Sequence, residues 1–172
     1  VRKGIKPAPI MLGGGQERGL RSGTENTAGI AGFGRAIAMA ETAFDKRIET
    51  MKRARKTLLD AFKAEIPDIV INSPDDESGC PSVLSVSFLG TRGEVLLHTL
   101  EQDNIFVSTG SACSSNKKGQ SHVLSAMGLS PKEIEGTIRF SFSEFNTEKE
   151  MEYTADKVKA AVNRFRRLGS FR

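Results

Sequence analysis

Apolar residues recur every three or four positions along one stretch: Ile30, Phe33, Ile37, Ala40, Phe44, Ile48, Met51, Leu58 and Phe62. That is the spacing of one face of an α-helix. The pattern predicts a helix from near Asn26 to just before Pro67, because a proline restricts the residue ahead of it. Roughly forty residues is long for a globular helix, so a kink or break near Phe44–Asp45 is expected. Ahead of it, Val1 to Gly23 is glycine-rich and irregular, with Ile10-Met11-Leu12 as a short strand.

Beyond Pro67 the period changes. Ile69-Val70-Ile71 reads as a short strand, and Val83 to Phe88 (V-L-S-V-S-F) alternates apolar and small polar residues, as a half-buried strand does. Gly93 to Asp103 reads as a helix with Val95, Leu96 and Leu100 inward, Ile105-Phe106-Val107 as another strand, and Ser121 to Met127 as a short helix closed by Gly128. Thr137 to Ser143 places Ile138, Phe140 and Phe142 on one face and Thr137, Arg139 and Ser141 on the other. The last helix opens on a capping box, Thr147 with Glu150, and buries Met151, Ala155, Val158, Val162 and Phe165. The expected fold is α+β: a three- to four-stranded sheet with helices packed on one face, preceded by a long connecting helix.

The length of 172 residues suits one domain, or one domain with a fragment of another. No apolar run approaches membrane-spanning length, and the N-terminus carries no secretory signal pattern. The chain opens on Val and is expected to be a piece of something longer. Net charge is +4. With one Tyr and no Trp, the basic residues lack the aromatic interleaving of a nucleic-acid surface; an acidic protein partner remains open. The two cysteines, Cys80 and Cys113, read as free thiols of a reducing compartment. No Cys/His spacing supports a metal site.

Two segments carry candidate chemistry. Gly13 to Asn26 (G-G-G-Q-E-R-G-L-R-S-G-T-E-N) leads five glycines, Arg18, Arg21 and the Thr24 hydroxyl into a helix N-terminus, where N–H groups and the helix dipole favour an anion. Leu20 stands where a P-loop needs Lys, and Arg18 where a dinucleotide fingerprint needs Gly. A flexible linker is the bland alternative. In the second segment, Cys113 lies among small and polar residues (V-S-T-G-S-A-C-S-S-N-K-K-G), a poor setting for a packed thiol. Lys117 and Lys118 favour the thiolate by proximity, so a reactive cysteine is the preferred reading. Arg139 reads either as a bidentate carboxylate grip or as a solvent-facing arginine. His122 reads as a helix-end residue or a proton carrier, and Cys80 as a packed thiol.

Taken together, G-G-G-Q-E-x-G-x-R-x-G-T-x-N and, about ninety residues on, S-x-G-S-A-C-S-S resemble the cysteine desulfurases, in the subgroup with a long cysteine loop. V-L-S-V-S-F, S-H-V-L-x-A-M-G and I-R-F-S-F extend the resemblance over essentially the whole chain. It implies the C-terminal part of a fold-type-I, pyridoxal phosphate-dependent homodimer of the class V aminotransferase family. Such an enzyme converts L-cysteine to L-alanine and leaves a persulfide on its cysteine, for iron–sulfur cluster or tRNA thiolation pathways. By the same resemblance, Cys113 carries the persulfide, Arg139 binds the substrate carboxylate, and Thr24 reaches the cofactor phosphate of the other subunit. Arg18 and Arg21 fall in the active-site loop without assigned roles. Residues 1–40 are expected to be the tail of the large cofactor domain and the start of the connecting helix, and 41–172 the small domain with the cysteine loop. The Schiff-base lysine of the family lies upstream of Val1, so the cofactor is not expected to be covalently bound to this chain. Implied partners are L-cysteine and a sulfur-acceptor protein, with no membrane and no nucleic acid, in the cytoplasm or an organellar matrix. The competing readings are a sulfur-carrier or docking module without its own cofactor and another class V enzyme.

Overall fold

The amphipathic stretch after Asn26 folds as one helix, α1 (Thr27–Glu65). The expected break at Phe44–Asp45 is absent. No glycine or proline lies between Gly34 and Pro67, so nothing in that stretch interrupts the i→i−4 ladder. The structure, a computed structural model, describes residues 2–76, 78–109 and 121–169. It divides into two compact units, Val1–Phe44 and Asp45–Arg172.

In the first unit, Ile10-Met11-Leu12 is not a strand but irregular, exposed chain. Three apolar residues without a partner strand have no ladder to join. The apolar positions of α1 in this unit, Ile30, Phe33, Ile37 and Phe44, are all exposed.

The second unit holds an antiparallel sheet in the order β1 (Ile69–Ile71), β2 (Val83–Phe88), β3 (Thr137–Ser141). Leu84, Val86 and Phe88 of β2 and Ile138 and Phe140 of β3 form its apolar face, which packs with Leu58, Leu59 and Phe62 of α1. Phe62 meets Phe88 edge-on at 5.4 Å and Phe140 at 5.3 Å between ring centroids. The terminal helix α5 (Glu148–Gly169) adds Met151, Ala155, Val158 and Val162 to that core. Its capping box forms as expected: Glu150 N–H donates to Thr147 Oγ1 and Thr147 N–H donates to Glu150 Oε2. Among the described residues no helix is long and apolar enough to cross a membrane.

Three shorter helices complete the unit: α2 (Gly93–Glu101), α3 (His122–Ala126) and α4 (Pro131–Glu135). In α2, Leu96 and Leu100 are buried as expected while Val95 is exposed. The strand expected at 105–107 does not form. Asn104 takes a left-handed conformation (φ 59°), and the N–H groups of Ile105 and Asn104 return to the carbonyls of Leu100 and Glu101, closing α2. The Ile105 N–H is thus spent on a helix end. Among the described residues a single bridge follows, between Ser108 and Arg139.

Candidate active site

Arg139 sits in β3 on the face opposite the apolar core. The register aligns one transverse row across that polar face. Asn72 bonds through its backbone to Ser85, Ser85 pairs with Arg139, and Arg139 bridges to Ser108. The Arg139 N–H donates to the Ser108 carbonyl at 2.7 Å and its carbonyl accepts from the Ser108 N–H at 3.1 Å. The guanidinium is exposed and has no hydrogen bond or ion pair among the described residues. A second row, Ser87 with Thr137, is buried. Sequence reasoning had treated Ser85 and Ser87 as the polar half of an alternating strand; the signal that they belong with Arg139 is register, which local sequence does not carry.

The segment bearing Cys113 leaves from Ser108 and Thr109, and Cys113 itself lies outside the described residues. Its point of departure is closely packed. A Cβ on Gly93, the first residue of α2, would stand 2.8 Å from the Thr137 carbonyl oxygen and 3.2 Å from Thr109 Cγ2. Glycine there lets α2 approach both β3 and Thr109.

In the other unit, the glycine-rich segment closes on itself. Ser22, buried, donates its N–H to Met11 O (3.2 Å) and its hydroxyl to Gly14 O (2.8 Å). The Gln16 side chain accepts from the Gly23 N–H at 3.3 Å. Inside that closure a 3-10 turn, Gln16–Gly19, holds Glu17 (φ 48°) and Arg18 (φ 58°) in the left-handed region. Two consecutive non-glycine residues there are strained, a condition that concentrates at functional sites. Arg21 folds back on the Ser22 carbonyl. Asn26 is the N-cap of α1, its Oδ1 accepting from the Gly29 N–H at 3.0 Å, while the Thr27 N–H donates to Glu25 O at 2.8 Å. The helix end is therefore less open than expected. The Ala28 N–H and the exposed Thr24 hydroxyl are among the donors that have no acceptor there among the described residues.

Cys80, expected to be packed, is exposed instead. It lies in the turn-rich loop before β2, where its sulfur faces Ser82 Oγ at 3.2 Å, and that contact first of all lowers its pKa below the ordinary thiol value. His122 is exposed in α3, which Ser121 caps.

Residues 12–154 match the family Aminotransferase class-V. The chain belongs to that family. It is 38% identical over 169 residues to the cysteine desulfurase IscS of Clostridium botulinum (strain Hall), and 38% identical over 176 residues to a cysteine desulfurase of Nostoc sp.. These alignments take in 98% and 100% of this chain but 43% of each relative. A solved NifS-like protein superposes with a TM-score of 0.77 at 36% identity, over 95% of this chain and 41% of that one. The chain thus spans less than half the length of the class-V relatives it matches.

The family is pyridoxal phosphate-dependent. The residues present fit that cofactor at one end only. Thr24 and the Ala28 N–H are neutral donors suited to a phosphate oxygen. The aldehyde end needs an amine made nucleophilic by a lowered pKa. Every described lysine is exposed except Lys157 and Lys159. Those two are ion-paired with Asp103 and Glu65, whose hydrogen bonds raise their pKa values. No described lysine fits the aldehyde.

Proposed function

We propose that the chain is the C-terminal part of a cysteine desulfurase, with residues 1–40 as the tail of a cofactor domain and 41–172 as the small domain. The observation that carries the proposal is the Ser108–Arg139 bridge. It joins the candidate carboxylate grip directly to the root of the segment bearing the candidate nucleophile. Cys113 lies five positions beyond Ser108 in the sequence. The resemblance to IscS of C. botulinum over 98% of the chain supports the same reading.

In this reading Arg139 holds the L-cysteine carboxylate through its exposed guanidinium. Pyridoxal phosphate, when bound, serves as an electron sink for the substrate α-carbon, and Thr24 donates to the phosphate of the other subunit's cofactor in a homodimer. The Cys113 thiolate attacks the substrate sulfur. The new S–S bond replaces the substrate C–S bond, whose electron pair stays on carbon and takes up a proton as alanine forms. The persulfide sulfur then passes to an acceptor protein. Arg18 and Arg21 belong to the glycine-rich loop that precedes Thr24, without assigned roles.

The test is sulfide release from L-cysteine by the full-length enzyme. Cys113→Ala is expected to abolish it, and activity that survives unchanged refutes the assignment. Arg139→Ala is expected to raise KM for L-cysteine strongly; an unchanged KM refutes the carboxylate role.

A further inference from the structure

The polar face of the sheet contains a directed chain of hydrogen bonds. Thr137 Oγ1 donates to the Glu133 carbonyl at 2.6 Å. A hydroxyl has one proton, so the 2.8 Å contact between Ser87 Oγ and Thr137 Oγ1 must be Ser87 donating. Ser87 in turn accepts from Asn72 Nδ2 at 2.9 Å, and the same amide donates to Ser85 Oγ at 3.3 Å. The direction fixes the Asn72 amide with its nitrogen toward the serines; its Oδ1 is buried without a partner among the described residues. The chain ends at Ser85. That hydroxyl accepts from Asn72 and has no acceptor of its own among the described residues.

Ser85 is also the near neighbour of Arg139. Its backbone groups face β1, accepting from the Asn72 N–H and donating to Ser73 Oγ, each at 2.9 Å. The backbone groups of Arg139 face the other way, to Ser108. Ser85 and Arg139 are therefore a non-hydrogen-bonded pair of the antiparallel ladder. Such pairs bring Cα atoms to about 4.5 Å and side chains closest together. On one face, side by side, stand a hydroxyl donor and a guanidinium that have no acceptor and no anion among the described residues.

We propose that Ser85 is a specificity-determining residue, donating the second hydrogen bond to the carboxylate that Arg139 holds, with Asn72 orienting its hydroxyl. The proposal rests on the carboxylate role of Arg139. Two adjacent donors, one charged and one neutral, match the two charged oxygens of a carboxylate; a carboxamide offers them one neutral oxygen and no negative charge.

In the full-length enzyme, Ser85→Ala is expected to raise KM for L-cysteine about ten- to a hundredfold, the size of one hydrogen bond to a charged group, with kcat unchanged. It should also lower the preference for L-cysteine over L-cysteinamide. Ser85→Thr, which keeps the hydroxyl on a residue suited to strands, should restore both. If Arg139→Ala raises KM and Ser85→Ala does not, the proposal falls while the role of Arg139 stands. If neither raises KM, the underlying reading falls as well. A KM rise that Ser85→Thr fails to rescue, or one with no change in the cysteinamide preference, marks a packing effect and overturns the proposal.

Discussion

Gly93→Ala tests whether the approach of α2 to β3 sets the root of the Cys113 segment. The added methyl would stand 2.8 Å from Thr137 O, 3.3 Å from Glu135 O and 3.2 Å from Thr109 Cγ2. The two oxygens are backbone atoms, and Thr137 is held by the sheet and by its own hydroxyl bond to Glu133. Neither can swing aside as a long side chain could, so α2 or Thr109 must move by a few tenths of an ångström. Alanine favours a helix over glycine by about 0.5–1 kcal/mol. Overpacking a close contact costs about 1–3 kcal/mol. The clash wins by about 1–2 kcal/mol, which lowers Tm by several degrees in a domain of this size. Calorimetry measures that part. The alkylation rate of Cys113, followed by mass spectrometry, measures the other: displacement of Thr109 should change it more than that of Cys80, which lies in the loop before β2. An unchanged or raised Tm would refute the packing argument. A lower Tm with both thiols reacting as in the unsubstituted chain would refute the link between Gly93 and the Cys113 segment.

Two further outcomes are expected. Phe62→Ala removes a side chain that is 0% exposed and touches two aromatic rings; it should destabilise by about 3–5 kcal/mol in a denaturant titration, and a loss below about 1 kcal/mol would contradict its place at the centre of the core. Cys80 has its thiol pKa lowered, chiefly by the Ser82 hydroxyl and then by the Ser82 N–H. Its alkylation in the folded chain should reach half-maximum at a lower pH than in urea, and Ser82→Ala should bring the two midpoints together. The sign for stability follows: the contact stabilises above the unfolded thiol pKa, and that contribution is lost as pH falls through the folded value.

Much of the fold was legible because its signals are local. The periodicity of α1, the Thr147–Glu150 box of α5 and the alternation of β2 and β3 each lie within one segment. The short helix α4 was missed although it carries its own signature, Ser130 with Glu133 and Pro131 at the first turn, where a capping box forms. The strand expected at 105–107 failed for a reason invisible to propensity: the Ile105 N–H is claimed by α2. At the candidate site, alternation placed Arg139 on the polar face. Its neighbours depend on register between segments tens of residues apart, and a one-residue slip there would exchange every side chain for one on the other face. Thr24 was read as part of an open helix end, but the Asn26 cap uses donors that glycine content alone does not reveal.

The rung between Ser108 and Arg139 has a consequence for how the sheet comes apart. Ile138 and Phe140 point their amides into the ladder with β2, while the Arg139 amide points outward to Ser108. Releasing the outer rung costs two hydrogen bonds, fewer than the whole ladder with β2, so it can open below the free energy of global unfolding. Amide exchange along β3 should then alternate, slow, fast, slow, with the fast position at Arg139. The strand would be two molecules in one: an inner edge that melts only with the domain, and an outer edge that opens on its own at Arg139.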